Sequence, residues 1–468
     1  MDLIDKLDQT LGRANVLRGD ETAKYASDWT GSFVGEPVAV ARPANTSEVS
    51  QTVKLAAEAG VSIVPVSGNT GLTGGTHGPG ALMISMERMN TIREIRPDAR
   101  VAIVEAGVVL SQLHDATAQH GLSFPLTFGA RGSAMIGGAL STNAGGSNVL
   151  RYGNTRSLCL GLEVVLPSGE ILNLMSALHK DNAGYDLKDL FIGAEGTLGL
   201  ITGAVLKVVP KPQAYATAMV ATRSLDAALT LLNQLQLETG GAVEAFEYMP
   251  GTYMDAALAL FPKMRQPFAD RHDINLLVEV AASSPADATA DAEGTVPVVQ
   301  RLEQILGALF EDGAVLDATV ARSDAQRTEM WARREAAAEV SLGEGPVVNN
   351  DIAVPLDKVG TFLDLAEKQL GAFVPDAKIF VVSHLGDGNV HYTVRPSDPK
   401  PDVMDRIMET IEDIVLSLGG SFSAEHGIGL TKRPSMKRRK DPVALDVMRS
   451  IKNALDPDNR MNPGKVLP

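Results

Sequence analysis

Apolar positions fall into two rhythms along this chain, and the change comes near residue 210. In the first part, short apolar blocks alternate with glycine clusters. A helix is predicted from a cap at Thr46 to Gly60, with Val49, Val53, Leu55 and Ala56 facing inward. The block 61–66 reads as a strand that feeds a glycine loop. A strand over 101–105 precedes a helix over 109–120, which stops at Gly121. Blocks 162–166 and 170–173 flank Pro167-Ser168-Gly169 as a hairpin. A strand over 197–209 closes this part, and Pro210-Lys211-Pro212 marks a boundary.

From residue 213 the helices lengthen. Amphipathic helices are predicted over 224–238, 296–309, 325–340 and 356–370, between strands over 241–248, 275–280 and 352–354. That is an α+β domain built around an antiparallel sheet. Residues 283–293 are the most loop-like segment, and no internal repeat is present.

The pattern becomes chemical at Ser383-His384-Leu385-Gly386-Asp387-Gly388-Asn389-Val390-His391, between the apolar runs 379–382 and 392–394. Asp-Gly between such runs predicts a two-residue hairpin turn. It would pair 386 with 389, 385 with 390, and His384 with His391. Directly opposed side chains share a face, with Cβ atoms about 5 Å apart, so the two imidazoles could share a metal ion. Glu425-His426 follows with a carboxylate and another imidazole, so this region holds three of the chain's eight histidines. Two His and a Glu with an open position form the ligand set of a catalytic divalent metal. Either histidine alone reads better as a surface residue beside a tight turn; the opposed pair with Glu-His following favours the metal.

Composition narrows the class. A chain of 468 residues implies two or three domains, and 44% hydrophobic with 21% charged residues is that of a globular protein. A net charge of −15 argues against nucleic acid or an anionic membrane as partner. No apolar run approaches the ~18 residues of a membrane span. The acidic, amphipathic start at residues 1–8 is unlike a targeting peptide. The single cysteine, Cys159, sits between two leucines as a small buried hydrophobe and fits a reducing compartment. A cytoplasmic location is expected.

Three glycine clusters lie within the first 200 residues: Ser67-Gly68-Asn69-Thr70-Gly71, Gly132 through Asn148, and Gly193 through Gly199. They contain no Lys or Arg, and neither the dinucleotide fingerprint nor the P-loop pattern occurs. Gly, Ser, Thr and Asn let backbone N–H groups converge in nests that bind pyrophosphate without a cationic side chain. Tight turns between strands are the plainer reading of any one loop.

These loops, with Asp181-Asn182-Ala183-Gly184-Tyr185-Asp186 and Gly196-Thr197-Leu198-Gly199-Leu200-Ile201-Thr202, resemble the FAD-binding half of the vanillyl-alcohol-oxidase-type flavoproteins. The segment 384–391, Glu425-His426-Gly427 and the closing Asn462-Pro463-Gly464-Lys465 resemble that family's branch of FAD-dependent D-2-hydroxyacid dehydrogenases. The resemblance implies an α+β fold in three parts. A two-subdomain FAD-binding domain would span 1–212, and a substrate domain with an antiparallel sheet 213–420. A C-terminal segment, 421–468, would return to the flavin. It implies non-covalent FAD held by Ser67, Gly68, Asn69, Thr70, Gly71, Gly137, Gly138, Asn143, Gly145, Gly146, Gly196, Ile201 and Asn462. It assigns His384, His391 and Glu425 to a divalent metal, usually zinc, and His426 to the general base. Arg334 matches the carboxylate-binding arginine, with Arg333 leaving the register open by one residue. Substrate contacts are also implied for Asn349 and Thr393, which stand where D-2-hydroxyglutarate dehydrogenases carry lysine and asparagine.

The implied reaction is oxidation of a D-2-hydroxyacid, D-2-hydroxyglutarate first, to its 2-oxo acid. Electrons would pass to electron-transfer flavoprotein or a quinone rather than O₂. A D-lactate dehydrogenase or a glycolate-oxidase-like enzyme is the alternative, since the lysine is missing at 349. Two readings from other classes stay open: a zinc hydrolase without flavin, and a non-catalytic flavin- or metal-binding protein. A homodimer is compatible with all of these.

Overall fold

The computed structural model describes residues 2–343 and 345–468, which divide into two compact units. The first comprises residues 2–145, Gly153–Pro210 and Glu425–Pro468; the second comprises Gly146–Tyr152 and Lys211–Ala424.

In the first unit, β1 (Val16–Leu17), β2 (Ala39–Ala41), β3 (Ile63–Val66) and β4 (Leu82–Ser85) form a sheet in the order β1-β2-β4-β3. β2, β4 and β3 run parallel, which requires a crossover, and the helix Thr46–Glu58 supplies it. Its Val49, Val53 and Ala56 share a buried core with Ala39, Ile63 and Leu82. The cap of this helix is Asn45, whose side chain accepts the Glu48 N–H, and not the expected Thr46. Thr46 is already helical and donates its hydroxyl to Glu163 at 2.6 Å.

Seven further strands follow in this unit: β5 (Ile92–Arg96), β6 (Val101–Glu105), β7 (Leu122–Ser123), β8 (Cys159–Val165), β9 (Ile171–Leu174), β10 (Leu200–Lys207) and β11 (Val209–Pro210). Five of them make an antiparallel sheet, β5-β6-β10-β8-β9, while β7 pairs with β11. The strand expected from 197 begins only at Leu200, because Glu195 and Gly196 take φ of 51° and 71° and keep the chain in a loop.

The second unit is built on one seven-stranded sheet: β12 (Ala214–Thr222), β13 (Val243–Pro250), β14 (Ile274–Ala282), β15 (Val315–Val320), β16 (Val348–Ala353), β17 (Lys378–His384) and β18 (Asn389–Arg395). Its order is β15-β12-β14-β13-β17-β18-β16, with every pairing antiparallel. Strand side chains alternate between faces. One face, including Val220, Phe246, Leu276, Val381 and Tyr392, packs under the helices Leu225–Glu238, Pro297–Glu311, Val359–Gly371 and Pro401–Ser417. The other face carries Met219, Ala245, Leu277, Phe380 and Val382 against Gly251–Leu260, Asp324–Glu335 and Ala337–Leu342. The last two helices replace the single one expected over 325–340; they meet at Ala336, which caps both.

Candidate active site

The histidine hairpin differs in register from the sequence expectation. His384 pairs with Asn389 and Val382 with His391, so residues 385–388 form the turn. The two-residue turn at Asp387-Gly388 and the direct opposition of His384 and His391 are therefore corrected. Leu385 is fully buried, and the Gly386 N–H donates to the Phe246 carbonyl of β13 at 3.2 Å. The sheet captures both residues before they can pair across the hairpin. Gly388, at φ 80°, has no room for a Cβ, which would collide with the Val354 carbonyl oxygen. A slip of two residues preserves side-chain facing. The histidines thus share a face diagonally, with ring centroids 5.4 Å apart and ring nitrogens within 4.8 Å.

Each histidine has a buried carboxylate against it, and sequence reasoning found neither. Glu247, opposite His384 in the ladder, is 1% exposed. Its Oε1 accepts from His384 Nδ1 at 2.8 Å and its Oε2 from Arg334 Nε at 2.6 Å. Burial alone would push this carboxyl's pKa up, but the His384 and Arg334 charges win and hold it at about 2. An ionised carboxylate can only accept, so Nδ1 carries a proton, and when the ring gives up its charge the proton leaves from Nε2, which becomes the lone-pair nitrogen. Asp351 lies opposite His391, fully buried; its Oδ1 accepts from Asn389 Nδ2 at 3.0 Å and stands 3.8 Å from His391 Nδ1. The available signal was a charged residue inside an apolar strand, since such a residue needs a partner.

The two neighbouring arginines separate clearly. Arg333 is 3% exposed and donates to the Arg265 carbonyl from Nε at 3.1 Å and Nη2 at 2.7 Å, so it is committed to helix packing. Arg334 reaches the polar patch, with Nη2 3.3 Å from His384 Nε2. Its helix is docked by Glu279, which takes both Arg327 Nε and Nη2 at 2.6 Å and the Trp331 indole at 3.0 Å. Thr393 lies two residues beyond His391, hence on the same face, and donates its hydroxyl to Asn349 Oδ1 at 3.1 Å.

Beyond the helix Pro401–Ser417, the chain follows the edge of β16. Ser421 and Ala353 exchange backbone hydrogen bonds of 2.8 and 2.9 Å, and the Ala424 N–H donates to the Asp351 carbonyl at 3.2 Å. Glu425 is the next residue, and it opens the return into the first unit. There, Thr73 Oγ1 donates to the His426 carbonyl at 3.3 Å. Glu195 accepts the Ile428 and Gly429 N–H groups at 2.7 and 2.8 Å.

In the first unit the glycine loops pack back to back. Gly68 lies so near the Ser133 carbonyl that a Cβ would collide with it, whereas Gly71 faces open space. Gly137 donates its N–H to Ala106 at 2.7 Å, and Gly138 lies beside Ser67. Asn69 and Asn143 hold φ of 51° and 52°; Thr76 donates to Asn69 Oδ1, and the Arg156 N–H to Asn143 Oδ1. Thr70 is half-buried, Gly145 and Gly146 carry the chain between units, and Ile201 is buried in β10. Gly196 abuts Pro65. The C-terminal Asn462 ties two loops together, donating Nδ2 to Gly75 and Glu195 carbonyls at 3.0 and 2.7 Å. Its Oδ1 is buried without a hydrogen-bond partner among the described residues. Cation-free loops tight behind and open in front, with an orphaned acceptor beside them, fit a neutral-backbone cradle for FAD.

Lys465 closes this region, with Nζ on the His77 carbonyl at 2.7 Å. Burial, aided by the Arg433 charge, lowers its pKa from 10.5 to about 8. An unfolded chain keeps this proton up to 10.5, so between pH 8 and 10.5 the unfolded state binds more protons and stability rises with pH. Urea midpoints of Lys465→Met apoprotein should lose that rise; an unchanged slope would assign it to another group.

Two family profiles match the chain: "FAD binding domain" over residues 37–175 and "FAD linked oxidases, C-terminal domain" over 211–466. The chain belongs to the FAD-linked oxidases. This FAD-linked oxidase is 34% identical to the D-2-hydroxyglutarate dehydrogenase of Xanthomonas citri pv. viticola over 448 residues, covering 94% of this chain and 92% of that one. It is also 34% identical to the D-2-hydroxyglutarate dehydrogenase of Stutzerimonas stutzeri over 478 residues, covering 99% and 98%. Those matches put it in the branch of FAD-dependent D-2-hydroxyacid dehydrogenases. Substrate-bound p-cresol methylhydroxylase superposes with a TM-score of 0.75 over 99% of this chain and 96% of that one, at 16% identity, which shows a shared fold. The expected vanillyl-alcohol-oxidase-type α+β architecture holds. Membership of a flavin family sets aside the flavin-free hydrolase. Among the described residues, no helix of this FAD-linked oxidase is long and apolar enough to cross a membrane.

Proposed function

We propose that this enzyme oxidises a D-2-hydroxyacid, D-2-hydroxyglutarate first, to its 2-oxo acid. The electrons leave through FAD to electron-transfer flavoprotein or a quinone. The observation that carries the reading is the His384–His391 pair, each ring backed by a buried carboxylate, in a chain of the FAD-linked oxidases. Imidazoles oriented in this way suit a divalent transition metal. Glu425 is assigned as the third ligand, because it follows Ala424, whose N–H is tied to Asp351 beside His391.

An aliphatic hydroxyl, with a pKa near bulk water's ~16, does not surrender its proton to an imidazole of about 6.5 unaided. Bound FAD accepts a hydride, and a bound divalent cation acidifies a ligated hydroxyl. His426 takes the hydroxyl proton as the Cα–H bond breaks, so the substrate loses one proton and one hydride. Glu247 holds His384 in the tautomer that frees Nε2. Arg334, a planar fork, holds the substrate's 1-carboxylate. Thr393 and Asn349 line the substrate beyond it.

A dye-linked assay on D- and L-2-hydroxyacids, with and without chelator, tests this. The D-enantiomer should be oxidised and the L-enantiomer ignored. Extended chelation should abolish turnover while FAD stays bound, and Zn²⁺ or a neighbouring divalent ion should restore it. Full turnover by metal-free enzyme sinks the metal; inertness toward every D-2-hydroxyacid sinks the substrate class. Uncharged Asn349 favours a second reading, a monocarboxylate such as D-lactate. A kcat/KM tenfold higher for D-lactate, about 1.4 kcal/mol, would select it.

A further inference from the structure

We propose that Arg395 binds the second carboxylate of a dicarboxylic 2-hydroxyacid and so selects a five-carbon diacid over a short monoacid; this rests on the hydroxyacid reading above. Side chains on β18 alternate. Tyr392 and Val394 enter the helix-covered core, whereas His391, Thr393 and Arg395 lie on the opposite face. The Arg395 guanidinium sits over the Phe380 ring, 5.1 Å from its centroid, and Phe380 is the cross-strand partner of Thr393. The charge is therefore folded back beside Thr393, one same-face step from His391, or about 7 Å along the strand.

That spacing matches a diacid held by its hydroxyacid end at His391. Four C–C bonds of about 1.5 Å in zigzag put the carboxyl carbons of a five-carbon diacid about 5 Å apart, with the oxygens about 1 Å further out. Lactate, with three carbons, ends well short of it. The polar pair Asn349–Thr393 fills the interval without charge of its own.

Among the described residues, Arg395 also stands apart from the other arginines of this region in lacking an anion. Arg327 has Glu279, Arg333 has Glu329, and Arg334 has Glu247. Among the described residues Arg395 has no carboxylate partner. Its Nε is buried without a hydrogen bond, and Nη2 makes only a long contact, 3.4 Å, to the Ser341 carbonyl. Gly343 leaves space for the guanidinium, since a Cβ there would come within 2.7 Å of Nη2. A partly buried guanidinium kept without an acidic partner is costly, and a ligand carboxylate would satisfy it with a bidentate pair.

The test compares wild-type holoenzyme with Arg395→Leu and Arg395→Lys, using kcat/KM for D-2-hydroxyglutarate and D-lactate and calorimetric binding of glutarate. Arg395→Leu should lower kcat/KM for the diacid about 10- to 100-fold, the weight of a charge-assisted hydrogen-bonded contact, mainly through KM. The D-lactate value should stay within about twofold, which doubles as the folding control, and Arg395→Lys should recover part of the loss. Glutarate affinity should fall in parallel. Equal losses for both acids, no loss for either, or glutarate binding that ignores the substitution would overturn the assignment. Glutarate binding that depends on Arg395 in an enzyme that oxidises no D-2-hydroxyacid would overturn the proposed reaction and leave the anion site standing.

Discussion

Glu247→Leu should destabilise the protein by about 3–5 kcal/mol, the cost of stranding a buried charge whose partner has been removed, and should weaken divalent-metal binding about 10- to 100-fold, as loss of an outer-shell carboxylate does. Glu247 accepts from both His384 Nδ1 and Arg334 Nε, at 2.8 and 2.6 Å, and it is 1% exposed. Leucine fills the volume but leaves the guanidinium and the ring N–H facing hydrocarbon. The acid limb offers an internal check. This carboxyl's pKa is depressed from 4.5 to about 2, so its contribution is fully present above pH 4.5 and is lost as the pH falls toward 2. The variant should therefore show a flatter decline across that window. Urea unfolding at several pH values and a metal titration read both effects. Stability within 1 kcal/mol of wild type, together with unchanged metal affinity, would show that Glu247 supports neither group.

What the sequence revealed depended on how local the cause was. The strand over 101–105 and the helix over 224–238 are found almost where expected, at Val101–Glu105 and Leu225–Glu238, because alternation and helical periodicity are written in consecutive residues. Asn45 and Thr46 are both good caps, and only the reach of Asn45 to the Glu48 N–H separates them. The hairpin turn failed for a non-local reason: Gly386 is claimed by Phe246 on another strand. Glu247 and His384 lie 137 positions apart and meet only through sheet register, which no pattern within either segment encodes. The arginine ambiguity was soluble in principle. Arg327, Trp331 and Arg334 stand at i, i+4 and i+7, a single helix face, and both Arg327 and Trp331 bind Glu279. Arg333, about 100° further round, had to point elsewhere.

His426→Ala should slow flavin reduction by about 10²–10⁴, the usual share of a general base, with FAD and metal content unchanged. The segment's course does not hang on one side chain. The His426 carbonyl accepts Thr73 Oγ1 at 3.3 Å, Gly427 turns the chain at φ 75°, and the next two N–H groups sit on Glu195. Truncation at Cβ leaves all of these in place, so the loss should fall on proton removal and not on assembly of the site. The D-enantiomer preference, which the proposed function gives to Arg334 and the metal ligands, should persist in the variant. Stopped-flow reduction followed by reoxidation with a dye separates the half-reactions. A variant that reduces its flavin at the wild-type rate and slows only in reoxidation would place His426 on the electron-acceptor side of the cycle and leave the hydroxyl proton to another group.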